Sequence, residues 1–137
     1  MMLVPTRVAP SAIHGLGLFA VAALAPGTPI WRFAPGFDQE FSPTQRAALP
    51  VPARAHLDWF AFFSPENGHA FLSGDHACFM NHSSQPNTGA GPGAALPVVT
   101  VALRSIAAGE ELTCDYFAFD AQAAHKLAGS PALPGQA

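Results

Sequence analysis

Charge is scarce in this chain. Only 11% of its 137 residues are Asp, Glu, Lys or Arg, against roughly 25% in an ordinary soluble domain. Six basic and nine acidic residues give a net charge of −3. A duplex-binding protein presents a basic face, so no direct nucleic-acid partner is expected. Long apolar runs are also missing. No stretch reaches the ~18–20 residues of a membrane span, and the apolar segment Leu16 to Ala25 stops at Pro26-Gly27. The N-terminus lacks the basic-then-apolar pattern of a signal peptide, so a cytoplasmic location and no membrane partner are expected. The two cysteines, Cys78 and Cys114, cannot form a four-thiolate zinc site. They read as partly buried thiols; a disulfide stays open, although nothing points to an oxidising compartment. His14, His56, His69, His76 and His125 show no metal-ligand spacing, so no metal is expected.

What the chain does contain is apolar and heavily punctuated. Half of it is hydrophobic, with 11 phenylalanines and two tryptophans that need burial, which excludes a disordered chain. Fourteen prolines and 12 glycines argue against a helical bundle and for short elements joined by many turns. The length fits one domain, taken as residues 1–127, followed by a Gly/Pro-rich tail over 128–137.

Local patterns predict a mainly β protein. Strands are expected at Leu3 to Arg7, with Pro5 marking an edge, and at Leu18 to Ala22 and Pro29 to Phe33. Turns are expected at His14-Gly15-Leu16-Gly17 and Ala25-Pro26-Gly27-Thr28. Ser42-Pro43-Thr44-Gln45 has the form of a capping box with proline at the first helical position. That helix would run to about Leu49 before Pro50 and Pro52 interrupt it. Ala53 to Phe60 reads as a second short helix with Leu57, Phe60 and Ala61 on one face, although the run Trp59 to Phe63 can equally begin a buried strand. Asn67-Gly68 signals a two-residue hairpin turn, with Ala70-Phe71-Leu72 as the returning strand. Thr88 to Pro97 reads as a loop, Val98 to Leu103 as a β-branched strand, Glu111 to Thr113 as a short return, and Ala121 to Leu127 as a helix. No internal repeat is present.

Three segments carry chemical interest. Gly15-Leu16-Gly17 is not a dinucleotide fingerprint, because no third glycine follows. It offers backbone that a ligand can approach without a Cβ in the way. Phe79-Met80-Asn81-His82-Ser83-Ser84-Gln85-Pro86-Asn87 places six polar residues in an apolar chain; the plain alternative is a polar turn around Pro86. Gly109-Glu110-Glu111-Leu112-Thr113-Cys114-Asp115-Tyr116 ends on the chain's only tyrosine, whose hydroxyl needs a partner. The acids Glu110, Glu111, Asp115 and Asp120 crowd into 11 residues with no base among them. They read either as a solvated face or as an attractant for a basic segment.

In this order, the three segments resemble the signature of the SET-domain protein lysine methyltransferases: Gly-x-Gly, then Asn-His-Ser-Cys-x-Pro-Asn, then Gly-Glu-Glu-Leu-Thr-x-Asp-Tyr. The resemblance covers about residues 3 to 120 and is nearest to small, stand-alone bacterial or viral members. It implies a β-clip-like fold of several short curved sheets, a C-terminal pseudoknot, and a short helical insert over about 42–63 forming one wall of a substrate groove. It also implies methyl transfer from S-adenosylmethionine to a lysine of a protein or basic peptide, with S-adenosylhomocysteine as product, and a possible homodimer. By the same resemblance, His14, Gly15, Leu16, Gly17, Asn81, His82 and Phe119 would bind the cofactor. Tyr116 would be catalytic, and Cys114 and Phe117 would line the lysine channel.

The sequence departs from the family pattern at several points. Ser84 replaces the motif cysteine. Cys114 stands where many members carry Phe or Tyr, which points to a roomier channel. No cysteine follows Cys114, so the zinc-binding segment that closes the channel in many eukaryotic members has no counterpart, and the usual second channel tyrosine is missing. These absences keep open the alternative of a weak or inactive SET-fold module that binds cofactor or peptide. The chain's apolar excess leaves surface that a bound peptide or a second copy can cover.

Overall fold

The structure is a computed structural model and describes residues 1–92 and 99–129. These residues group into two compact units: Met1–Gln39 with Leu72–Asp115, and Glu40–Phe71 with the segment from Tyr116 onward. As the composition implies, the elements are short and mostly strands.

The first unit is built on a four-stranded sheet. Strands β1 (Thr6–Pro10) and β2 (Leu16–Ala20) form an antiparallel pair, with Thr6 opposite Ala20 and Pro10 opposite Leu16. A three-stranded sheet follows in the order β3 (Pro29–Trp31), β9 (Thr100–Ala102), β8 (Thr88–Ala90). The four-stranded sheet is completed by β7 (Asn81–His82) and β10 (Glu111–Cys114), in the order β1-β2-β10-β7. β10 pairs antiparallel with β2 and parallel with β7. It therefore enters between two strands that both precede it in sequence, the interleaving on which a C-terminal pseudoknot depends. Leu18, Ile30, Ile106 and Leu112 are almost completely buried and form the centre of this unit.

The second unit carries a small sheet in the order β4 (Gln39–Phe41), β6 (Ala70–Leu72), β5 (Phe62–Phe63). Its helices are α1 (Pro43–Ala47), α2 (Val51–Phe60) and α3 (Ala123–Leu127). The capping box is formed as read: Ser42 Oγ accepts from Gln45 N, and Gln45 Oε1 accepts from Ser42 N at 2.8 Å. Leu57 and Ala61 are buried, while Phe60 is half-buried.

Several expected boundaries move, each for a physical reason. β1 begins at Thr6 rather than Leu3, and its register against β2 runs on to Pro10; Pro5, which marked an edge, stays just outside, and β1 is the edge strand of its sheet. β2 starts at Leu16 and stops at Ala20, so part of the expected 14–17 turn is strand. Pro50 and Pro52 do not interrupt a helix. They open α2, at positions whose backbone N–H groups would lack helical partners anyway. The hairpin between β5 and β6 is a six-residue loop, closed by Ser64 N donating to His69 O at 2.9 Å, rather than a two-residue turn. Gly68 still takes the positive φ (71°) that its Asn-Gly signal promised. Thr88–Ala90 is strand rather than loop, because it pairs with β9. The rest of the expected 88–97 loop from 93 onward, Val98 of the following strand, and positions 130–137 of the tail lie outside the described residues.

Candidate functional site

Several polar residues of the first unit converge on β10. The Glu111 carboxylate accepts from Ser11 Oγ through both oxygens, at 2.8 and 2.9 Å, and from Asn81 Nδ2 at 2.9 Å. Ser11 Oγ in turn accepts from Ile13 N (2.9 Å) and His14 N (3.3 Å), and Ser11 N donates to Gly15 O at 2.9 Å. Asn81 Nδ2 also lies 3.0 Å from His14 O and 3.2 Å from Leu16 O. Loop 11–16 is thus tied to β7 and β10 by side chains that come from two distant segments of sequence.

The two motif glycines serve different purposes. Gly15 has φ of +47°, and a Cβ there would meet nothing within 4 Å. It provides a left-handed backbone beside open space. Gly17 has ordinary backbone but no room, since a Cβ would lie 2.8 Å from Glu111 Cδ and 3.1 Å from Ser11 Cβ. The close approach at Gly17 is therefore made by the protein's own carboxylate.

The second asparagine of the motif works from the far side. Asn87 is buried; its Oδ1 accepts from Thr113 N at 2.8 Å and its Nδ2 donates to Glu111 O at 2.8 Å. Thr88 Oγ1 donates to Thr113 O at 2.8 Å. β10 thus has both backbone and side-chain partners along its length, which is why four residues suffice to make a strand here. His82 is half-buried, with Nδ1 3.6 Å from Asp115 Oδ1, and lies opposite Cys114 in the parallel pair. Neither cysteine forms a disulfide; Cys114 is buried in β10, and burial pushes the Cys78 thiol up from its ordinary pKa.

Tyr116, Phe117 and Phe119 belong to the second unit, where Tyr116–Ala118 forms a single 3₁₀ turn. Tyr116 and Phe119 meet edge-on at 6.2 Å between centroids, and Phe119 meets Phe62 edge-on at 5.4 Å. Phe62 stacks on Phe71 at 5.0 Å. Phe117 is 63% exposed. Below this aromatic row, Asp120 is buried; its Oδ1 accepts from Phe63 N (3.1 Å) and Gln122 N (3.0 Å), and its Oδ2 pairs with Lys126 Nζ at 2.6 Å. Lys126, the chain's single lysine, also donates to Ala61 O. An open cavity of about 280 Å³ in this unit is lined by Pro43, Arg46, Asp58, Phe63, Gly68 and Gln122. None of the expected site residues lines it, and its Arg46 is held by Asp58 at 2.5–2.6 Å.

The acidic run is not a uniform solvated face, since Asp120 is buried and Glu110, Glu111 and Asp115 are half-buried. Glu110 pairs with Arg104, accepts from Ala107 N and Asn87 Nδ2, and is held down to a pKa of about 2 mainly by Arg104. Glu111 and Asp120 are tied as described. The bases Arg104 and Lys126 stand six residues from their acids, just outside 110–120, while Ser11, Asn81 and Asn87 come from distant positions, so a local reading of 110–120 reveals none of them. Glu111, Ser11 and Asn87 received no individual role from the sequence. Glu111 and Asn87 stood inside the quoted motifs; Ser11 carried no signal.

A SET-domain family model matches residues 15–117. No curated protein sequence matches the chain. Among solved structures, it is similar in fold to a Plasmodium falciparum protein described as a candidate histone methyltransferase. That similarity has a TM-score of 0.57 and 15% identity, over 84% of this chain and 95% of that one. It is also similar to a chain of a humanized mutant of the Chaetomium thermophilum Polycomb Repressive Complex 2 bound to the inhibitor GSK126. There the TM-score is 0.63 with 18% identity, over 89% of this chain and only 16% of that one.

Proposed function

The chain belongs to the SET-domain family, and from that membership we propose that it is a protein lysine methyltransferase that uses S-adenosylmethionine. The observation that carries the reading is Asn81. One side-chain amide joins the Gly15-Leu16-Gly17 loop to Glu111 of the third motif, so segments far apart in sequence act as one framework. The loop also fits such a ligand, because His14, Gly15 and Leu16 are exposed and open space lies over Gly15.

When bound, S-adenosylmethionine supplies a methyl group on a sulfonium sulfur. His14, Gly15, Leu16, Gly17, Asn81, His82 and Phe119 are the residues proposed to hold it. An acceptor lysine has a reference pKa of ~10.4 and must lose its proton before it can take a methyl group. Desolvation among aromatic side chains lowers that pKa, and the proton leaves to water. Tyr116 is the proposed catalytic residue; its hydroxyl would orient the neutral amine, with Cys114 and Phe117 along the channel. The chain's own single lysine is buried in an ion pair with Asp120, which supports a lysine of another protein or basic peptide as the acceptor.

The test is transfer of labelled methyl from S-adenosylmethionine to basic peptides and lysate proteins. Label is expected on lysine, and Tyr116→Phe is expected to lower kcat by roughly 100-fold, as for loss of one orienting group in a dry site, while cofactor binding persists. Tight cofactor binding with no transfer by the wild type would instead favour a SET-fold binding module.

A further inference from the structure

We propose that Glu111 is a positioning residue for the cofactor: by holding Ser11 and Asn81 with one carboxylate, it sets the backbone of residues 11–17 in the shape that receives S-adenosylmethionine. The inference rests on the reading above that this loop holds the cofactor.

Ionised carboxylates only accept hydrogen bonds, whereas a serine hydroxyl donates one and accepts two. With its oxygens 2.8 and 2.9 Å from Ser11 Oγ, Glu111 makes Ser11 spend its single proton on the carboxylate. Both lone-pair directions of Ser11 are then left for the N–H groups of Ile13 and His14, which are the contacts seen. The same carboxylate takes part of the Asn81 amide, whose remaining donor capacity falls on the carbonyls of His14 and Leu16. Two N–H donors and two carbonyls of one exposed loop are therefore oriented through a single side chain. Such charge-assisted contacts are the stronger class of hydrogen bond.

Gly17 provides a second, independent observation. The space its Cβ would occupy is filled by Glu111 and Ser11. The second glycine of the Gly-x-Gly pair is therefore required by Glu111, while Gly15 is required by the left-handed backbone beside open space. A loop fixed before binding loses less freedom when a ligand arrives, so Glu111 acts on affinity rather than on the transfer step.

Glu111→Ala, Glu111→Gln and Ser11→Ala would be compared with the wild type in two measurements. Amide hydrogen exchange of the unliganded protein is expected to quicken at Ile13 and His14 in Glu111→Ala and Ser11→Ala, with Leu112 and Leu18 unchanged. Calorimetric titration with S-adenosylmethionine is expected to show Kd raised roughly tenfold or more in Glu111→Ala, less in Glu111→Gln. In transfer assays, KM for the cofactor should rise in parallel while kcat at saturation holds. A merely structural role would lower stability without this split between KM and kcat. Gly17→Ala should lose binding on its own and regain part of it in Gly17→Ala/Glu111→Ala. Where Glu111→Ala does not fold, Ser11→Ala, which removes only a hydroxyl, carries the test. Cofactor affinity within twofold of wild type together with unaltered exchange at Ile13 and His14 would overturn the role of Glu111. A wild type that fails to bind S-adenosylmethionine would instead overturn the cofactor reading itself.

Discussion

Two places in the molecule, the surroundings of β10 in the first unit and of Asp120 in the second, solve the same problem with different chemistry. Both are made of strands and helices too short to stabilise themselves, and each needs side chains to complete its backbone hydrogen bonding. In the first unit the work around β10 is spread over several side chains: the amides of Asn81 and Asn87, the hydroxyls of Ser11, Thr88 and Thr113, and the Glu111 carboxylate that Ser11 and Asn81 share. In the second it falls to one buried ion pair, Asp120–Lys126, which also caps Phe63 N, Gln122 N and Ala61 O. Loads spread over many amides are lost piecemeal. A load carried by a buried charge is lost at once, because removing one partner strands the other in a low-dielectric interior.

The sharpest way to break the comparison is Asp120→Ala. It leaves Lys126 buried without its counter-charge and frees two backbone N–H groups, so a loss of about 3–5 kcal/mol is expected in urea unfolding. Replacing both partners by Leu and Met should cost much less. Equal losses for the single and double variants would show that the charge pair is not what bears the load. Next in size is Asn87→Ala, which leaves Thr113 N and Glu111 O unpaired beside β10, for an expected loss of about 2–3 kcal/mol by the same measurement. A loss below that of an ordinary surface substitution would mean that β10 holds without its bolt.

The smallest effect concerns acid. Glu110 is lowered from 4.5 to about 2 by Arg104 and its backbone partner, so the folded state favours the carboxylate. That contribution is fully present above about pH 4.5 and is lost as pH falls toward 2. Glu110→Gln should therefore narrow the stability gap between pH 5 and pH 2.5 relative to the wild type. The pair is solvent-facing and the change in unfolding midpoint should be modest. An unchanged pH profile would remove Glu110 from the acid response.

Much of the fold was legible because the decisive signals were local. The Ser42 capping box, the Ala70–Leu72 strand and the Ala25–Thr28 turn depend on neighbouring residues alone, and each lies where its residues indicate. What moved depended on pairing. Thr88–Ala90 looks like loop until β9 lies beside it, and β1 takes its limits from β2 rather than from its own composition. The site followed the same division. Gly15, Gly17, Asn81 and His82 stood out as residue types, and the motif order tied them to one family. Glu111 looked like one acid among four, because its partners lie 100 and 30 residues away.

The many Phe, Gly and Pro residues of a chain scarce in charge determined a mainly β fold of short elements, since those are properties of composition and near-neighbour sterics. The three ordered motifs determined the family. Only the tertiary structure decided what the few charges do: Glu111 against Ser11 and Asn81, Asp120 against Lys126, Glu110 against Arg104. A charge is satisfied by whatever the fold brings within about 3 Å of it: for Glu110 and Asp120 that is a base six residues along the chain, and for Glu111 it is partners 30 and 100 residues away.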